Sequence, residues 1–389
     1  MKVVHTPRMA FTRLSSIHVV GAGPSGALLA LALAETHSVV LNDLQTAEAL
    51  ASRSRAYAIT HSSRRLFSHL GLWEDLLPSL TPFSSLDLRD QGCNQKVIFS
   101  LADLDPASRS HGAIGWILDH KPLMELLLNR LGKSENVVLQ LGGTCDLPKE
   151  PCFVVAADGP RSATRQSWGI KTIEHSYSQG CLTAKVALRG AKQGSAYELF
   201  RPEGPLAVLP LSDGSHQVVW SAPLNLCRQR AALAPGPFLD RLASVLPEDI
   251  EPDLLLDQPA AIPQQLMFAR QFGTRRGVLI GESAHRCHPV GGQGLNLCWR
   301  DVSTLVALIN KPSNPNRIAW SYQLKRLPDV LLVSLATDQL VRLFSNRLVW
   351  LLPLRHLILK CLSGSRALRR LSLRAMTNGP LKALSPLSN

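Results

Sequence analysis

Three segments of this chain carry residue types and spacings that do chemistry. The first is Ile17-His18-Val19-Val20-Gly21-Ala22-Gly23-Pro24-Ser25-Gly26, in which three glycines follow a short apolar run and precede the small, helix-favouring stretch Ala27 to Ala34. That order reads as strand, tight turn, helix. Gly21 permits the sharp turn, Gly23 lets the backbone approach a pyrophosphate, and Gly26 lets the helix pack against the strand. Free N–H groups and the helix dipole then favour phosphate at the helix start, where Pro24 is tolerated because its missing N–H costs nothing. A second strand, Ser38 to Leu41, leads to Asp43, 22 residues beyond Gly21. An acid near that spacing accepts hydrogen bonds from an adenosine ribose. A lone GxGxxG is unspecific; here the preceding strand, the following helix and the acid supply the context it requires.

Two later segments extend the pattern. Phe153 to Ala157 reads as a buried strand that leads into Asp158-Gly159, followed by Arg161, Ser162 and Arg165. Gly277 to Gly281 reads as another strand and runs into Glu282-Ser283-Ala284-His285-Arg286-Cys287-His288-Pro289-Val290-Gly291-Gly292-Gln293-Gly294-Leu295-Asn296, with a helix from Gly294 to Ile309. Together the three segments resemble the flavoprotein aromatic hydroxylases built like para-hydroxybenzoate hydroxylase: their adenosine fingerprint, their ADGxxSxxR segment and their GD…HPxxGQGxN segment. The resemblance implies FAD, held by Gly21, Gly23, Gly26, Asp43, Arg55, Asp158, Gly159, Glu282, Pro289, Gly291, Gly292, Gly294, Leu295 and Asn296. On that assignment the helix start at Gly294-Leu295-Asn296 directs N–H groups to the flavin pyrimidine oxygens and favours the charge of a reduced flavin. Gly291, Gly292 and Gly294 let the backbone press against a flat ring, and Glu282 accepts from ribityl hydroxyls. Asp158 and Gly159 lie near the pyrophosphate, and the family links their motif to NAD(P)H. The sequence has no second GxGxxG, so NADPH or NADH is expected to bind transiently as electron donor.

A finer resemblance points to the ubiquinone-biosynthesis hydroxylases. It rests on Arg55-Ala56-Tyr57-Ala58-Ile59-Thr60 with Leu70-Gly71-Leu72-Trp73, on Gly115 to His120, on Phe200 to Leu211 and on Thr337 to Asn346. The last is the most specific, because general aromatic hydroxylases lack it. The resemblance runs from about Ile17 to Met376. It implies an α/β FAD-binding Rossmann-like, three-layer domain with an inserted antiparallel β-sheet substrate domain and a C-terminal helical segment. It also implies a cycle in which NAD(P)H reduces FAD, the reduced flavin and O₂ give a C4a-hydroperoxide, and that species hydroxylates the ring of a prenylated phenol. A base near the ring would assist. His288 and Gln293 are the candidate catalytic residues, with His285 a further candidate by position. Departures from the family are Arg53 in place of Asp, Glu282 in place of Asp, and Cys298 and Trp299 in place of smaller residues. Glu282 keeps the charge, so FAD binding is expected to survive; Arg53 and Trp299 are expected to alter the pocket. Two rival readings are a flavin-dependent prenyl reductase, told apart by product mass, and a non-catalytic FAD-binding scaffold of a quinone-synthesis complex, told apart by NADH oxidation.

These segments need elements to hold them. With 389 residues and 45% hydrophobic content, the chain is long enough for two domains or for one with a large insertion. Residues 17–75, 110–175 and 270–320 are expected to form a discontinuous FAD-binding domain, and 76–109 and 176–269 the substrate domain. The latter rests on strand-like runs at Cys181–Leu188, Tyr197–Phe200, Leu206–Leu209 and Gln217–Ser221 with turn residues between. Pro235 to Pro263 reads as helix and loop, and Arg64 and Arg65 as a solvated helix face. Residues 1–16 read as a disordered tail with Met9 as an alternative start.

The net charge of +13 raises nucleic acid as a partner, but aromatics are 5% and no nucleic-acid motif is present. The eight cysteines form no CxxC pair and read as reduced, mostly buried thiols of a cytoplasmic protein. His285, Cys287 and His288 lack a fourth ligand at familiar spacing, so no metal is expected. Residues 321–389 read as a basic helical region, without Asp or Glu from Val341 onward. Its arginines interleave with Leu348-Val349-Trp350-Leu351-Leu352 and Leu357-Ile358-Leu359, a pattern suited equally to peripheral contact with the anionic inner membrane face and to a C-terminal helical cap packed on the body with its charges solvated, two readings that are compatible. On this reading, deleting Val341–Asn389 moves the protein into the soluble fraction.

Overall fold

The computed structural model describes residues 16–144, 152–275, 277–311 and 315–383. The expected N-terminal tail up to residue 15, its alternative start at Met9, and Cys145 lie outside them. Five short strands, Ser16–Val20, Ser38–Asp43, Val137–Leu141, Phe153–Ala156 and Gly277–Leu279, form a parallel sheet, with Gly273–Thr274 antiparallel at one edge. Ile17, Val19, Leu41, Val155 and Val278 are buried, as expected of a parallel sheet covered on both faces. The helix Pro24–Ala34 is apolar all round because it packs against both His120–Gly132 and Gln293–Ile309.

The inserted sheet is present, but it is mixed rather than purely antiparallel. Thr172–Arg189 pairs antiparallel with His216–Pro223, Glu251–Leu255 and Ala260–Ala269. Ser195–Phe200 pairs antiparallel with Leu206–Pro210 yet parallel with Ser85–Asp90. The parallel seam joins two strands that no hairpin connects, so local spacing carries no trace of it. His285–Arg286 pairs with the end of Ala260–Ala269, which stitches the third glycine segment onto this sheet.

Two regions hold unexpected strands. Ala56–Ile59 is a strand of a small separate sheet with Gly115–Asp119 and Leu80–Phe83, an element for which the sequence carries no expectation. Four residues are too few for alternation to register. Pro235–Pro263 contains the helix Pro235–Ala243 and also strand structure at Glu251–Leu255 and from Ala260. Its prolines obscured this: Pro252 lies in a strand paired on one side only, and Pro263 sits where the pairing register shifts, both sites at which a missing N–H is tolerated.

The C-terminal helices Pro315–Phe344, Leu352–Gly364 and Arg366–Asn378 are part of the core. Val341, Phe344, Leu359 and Leu373 are buried with Phe83, Val97, Phe99 and Phe200, and Phe344 stacks on Phe200 with centroids 4.4 Å apart. Two of the basic residues are also drawn into the body: Arg355 is 1% exposed and donates to Asn346, and the largely covered Arg369 pairs with the buried Asp103. Deleting Val341–Asn389 would therefore remove core, and membrane contact has to be tested by point substitution instead.

Candidate active site

The first segment closes as its glycines require. Gly21 adopts φ +100°, and a Cβ there would stand 2.5 Å from Ala157 O, while a Cβ on Gly26 would overlap the Gly21 carbonyl. Gly23 has nothing within 4 Å of where its Cβ would be. Asp43 holds the loop directly: its carboxylate accepts from the N–H of Ala22 at 2.7 Å and of Gln45 at 2.8 Å. In the second segment Asp158 Oδ2 accepts from Thr164 N–H, and Oδ1 is buried without a hydrogen-bond partner among the described residues. Ser162 caps the helix Ala163–Ser167. The buried Arg165 guanidinium donates to Ser283 O and Pro160 O, both at 2.8 Å, and so ties the second segment to the third.

The third segment makes two left-handed turns, at Gly291 (φ +69°) and Gly292 (φ +62°), before the helix Gln293–Ile309. Behind it lies a buried ionic cluster. Asp301 accepts from Gly281 N–H at 2.8 Å, His285 Nε2 at 2.7 Å and Arg326 Nε at 2.6 Å; Arg326 also pairs with Asp329. Burial alone would raise the Asp301 pKa, but His285 and Arg326 outweigh it and hold the carboxyl well below the usual range.

One cavity of about 1180 Å³ is lined by all three segments and by the large sheet. Gly21, Gly23, Asp43, Arg55, Asp158, Gly159, Glu282, Pro289, Gly291, Gly292, Gly294 and Leu295 are on its wall. So are Phe83, Phe99, Phe200 and Leu209, and Leu340, Leu362 and Met376 from the C-terminal helices. It exceeds the ~300–1,000 Å³ typical of drug-sized ligands. Gly23, Gly159, Gly291 and Gly294 leave open space where side chains would stand, and the orphaned Asp158 oxygen adds a buried acceptor. These residues fit a dinucleotide with a flat ring at one end.

Comparison with known proteins agrees. Residues 149–330 match the FAD binding domain family. The chain is 29% identical to ubiquinone hydroxylase UbiL of Rhodospirillum rubrum, over 93% of this chain and 89% of that protein. It is 28% identical to the 3-demethoxyubiquinol 3-hydroxylase of Escherichia coli, over 92% and 97%. The chain is an FAD-dependent monooxygenase. Its fold is shared with p-nitrophenol 4-monooxygenase PnpA from Pseudomonas putida, at a TM-score of 0.76 and 17% identity over 95% of this chain and 98% of that one. It is shared too with Klebsiella pneumoniae HpxO complexed with FAD and uric acid, at a TM-score of 0.72 and 18% identity over 94% and 97%.

Two expected cofactor residues of the monooxygenase do not line the cavity. Gly26 acts by packing. The Asn296 side chain is buried and spent: Oδ1 accepts from Ser63 Oγ (2.6 Å) and Thr60 N–H (3.1 Å), and Nδ2 donates to Ala58 O and Gly292 O. It clamps the strand Ala56–Ile59 to the flavin loop. Neither expected catalytic residue reaches the cavity either. His288 is fully buried, its Nδ1 accepts from Val290 N–H, and its ring lies edge-on to Tyr177. Gln293 donates to Gly291 O and Met376 O, fastening the loop to the C-terminal helices. His285 belongs to the Asp301 cluster. Trp299 is 1% exposed and backs the first loop through Pro24 O, so it does not shape the pocket, whereas Arg53 does line it. Arg64 and Arg65 are not simply solvated: Arg64 lies 5.2 Å from the Trp73 ring centroid and Arg65 donates to Asn378. Sequence reasoning missed the polar residues that the large sheet turns inward, Thr183, Glu198, Gln217 and Ser221. Their available signal was alternation along each strand.

Burial lowers the pKa of His61 and of His288 to about 4. Both are neutral when folded, and the unfolded chain binds their protons first. Stability is therefore complete above pH ~6.5 and falls as pH drops toward 4, by about 3 kcal/mol per histidine. Urea unfolding at pH 7 and pH 5 should show this slope, and His288→Gln should remove about half of it, leaving the His61 part.

Proposed function

We propose that this enzyme hydroxylates the aromatic ring of a prenylated phenol or quinone precursor, using FAD, O₂ and NADPH or NADH. The reaction class is FAD-dependent aromatic hydroxylation. The single observation that carries the substrate is the cavity's composition: glycine backbone and Asp158 on one part of its wall, aromatic and aliphatic side chains on the rest. When bound, FAD supplies the electrophilic oxygen after reduction and reaction with O₂. The first segment would take the adenosine and pyrophosphate, with Asp43 at the ribose, and Gly291 to Leu295 would take the flavin edge. Phe83, Phe99, Phe200 and Leu209 would enclose the ring and exclude water. The similarity to two quinone-pathway hydroxylases over more than nine-tenths of the chain supports the prenylated substrate. Purified holoenzyme should oxidise NADH or NADPH faster when given an octaprenyl phenol, and the product should gain one oxygen atom. A gain of hydrogen would favour a reductase, and no turnover a scaffold.

The same reading places the enzyme in the cytoplasm, peripheral to the inner membrane. Among the described residues no helix is long and apolar enough to cross a membrane. Val349 is 74% and Trp350 72% exposed, beside Leu354, Leu357 and the exposed Arg347 and Lys360. Those helices also contribute Leu362 to the cavity wall, which supports loading of a lipid-like substrate from this side. Burying two large apolar side chains contributes about 3–6 kcal/mol. Combining Val349→Asp with Trp350→Asp should cut cosedimentation with anionic vesicles at least tenfold while FAD content stays unchanged. Equal sedimentation of the double variant would reject the membrane face.

A further inference from the structure

The catalytic work expected of His288 has no taker in the glycine segments, and the large sheet offers one. Glu198 lies in the middle of the strand Ser195–Phe200, and its pairing partners are Leu88 and Ala207. All three line the cavity. Gly291, the glycine at the first left-handed turn of the flavin loop, lines the same cavity as the Glu198 carboxylate. An acidic side chain thus stands where the apolar substrate wall meets the flavin-binding backbone. A sheet position between apolar neighbours is an expensive place for a carboxylate, and among the described residues no cation is bonded to it there.

The groups around it are accounted for. On its own strand, Tyr197 turns to the opposite face and its hydroxyl accepts from Lys192 N–H. From Thr172–Arg189 comes Cys181, whose thiol burial pushes up to about 12, with Arg55 opposing and Glu198 adding to the rise. The loop offers Gly291 and Val290, and the C-terminal helices offer Leu340, Leu362 and Met376. Of the cavity's other carboxylates, Asp43 ends the strand Ser38–Asp43, and Asp158 and Glu282 belong to the glycine segments, as do the lining cations Arg161 and Arg286; Arg53 and Arg55 precede the small sheet.

We propose that Glu198 is the catalytic base that takes the hydroxyl proton of the bound phenol as the ring is hydroxylated. The O–H bond breaks, its electron pair stays on the phenol oxygen and feeds the ring carbon that attacks the electrophilic oxygen. The proton rests on the Glu198 carboxylate and leaves to solvent or product afterwards. Burial raises the Glu198 pKa to about 7, with the nearby Gly291 backbone opposing the rise, which suits a base working near neutral pH. This assignment rests on the phenol-hydroxylase reading above.

The test uses FAD-loaded full-length enzyme and an octaprenyl phenol. Glu198→Gln keeps the side chain's size and a polar oxygen at this position, so FAD content and stability should match the parent. Its hydroxylation rate should fall about 10²–10³-fold, and the rise of rate with pH near neutrality should vanish. Peroxide release per NAD(P)H consumed should increase. A fluorinated phenol already ionised at the assay pH should restore the variant to within threefold of the parent, because its proton is gone before binding. Loss of FAD from the Gln variant would reassign Glu198 to loop support and overturn the proposal. So would an unchanged rate and pH profile, or failure of the ionised phenol to rescue. If instead the parent enzyme adds oxygen to no phenol, the hydroxylase reading itself is what fails.

Discussion

Gly26→Ala protein is expected to purify colourless, with FAD affinity lowered at least ~100-fold and with reduced thermal stability. The added Cβ would overlap the Gly21 carbonyl oxygen and press on Ala157. Gly21 belongs to the phosphate-binding turn and Ala157 follows the strand Phe153–Ala156 that leads into Asp158, and neither offers a flexible side chain that could swing away. The helix Pro24–Ala34 would have to lift from the strand Ser16–Val20, moving the N–H groups that face the pyrophosphate. Gly23→Ala provides the contrast. Its Cβ meets nothing within 4 Å, so the apoprotein should melt as the parent does while still losing FAD, because the methyl group takes space the pyrophosphate needs. Two glycines three residues apart should thus fail differently: one in both folding and binding, the other in binding alone. Flavin absorbance after gel filtration and melting of the apoproteins separate the cases. A Gly26→Ala variant that keeps its yellow colour would mean that the first loop does not hold the adenosine half of FAD.

That contrast shows which features were legible in the sequence. The glycine loops were, because a turn's demand for φ > 0 or for close approach is met by residues within a few positions of it. Strands such as Phe153–Ala156 were legible because burial on both faces leaves an unbroken apolar run. Roles set by distant partners were not. Asn296 reads as a flavin-loop residue, yet its partners Ser63 and Thr60 lie more than 230 positions away. Arg355 belongs to a basic helix that looks solvated, but Leu352–Gly364 packs against Gln95–Ser100 and buries it. Glu198 stands among apolar neighbours, and only the closure of sheet onto loop shows which way it faces.

Asp301→Ala is expected to destabilise the enzyme by about 3–5 kcal/mol, lowering the melting temperature by about 4–6 °C. The carboxylate is fully buried and satisfies Gly281 N–H, His285 and Arg326 at once. Without it the Arg326 guanidinium is left inside the protein with Asp329 as its remaining counter-charge, and Gly281 loses the acceptor that fixes the start of the third segment. Flavin should therefore be lost with stability, although Asp301 is not on the cavity wall. Its depressed pKa fixes the pH behaviour. The contribution is fully present above the unfolded carboxyl's value, ~3.9, and is lost only as pH falls from there toward the lower folded value. Subtracting the Asp301→Ala profile from the parent's should thus give a flat difference from pH 7 to 5 that shrinks below 4, in contrast to the histidine slope between 6.5 and 4. Since much of the cost comes from an orphaned charge, Asp301→Leu combined with Arg326→Met should be milder than the sum of the single changes. Strict additivity in that cycle would mean that Asp301 and Arg326 do not act as a pair, and that the cluster behind the flavin loop is not what keeps it in place.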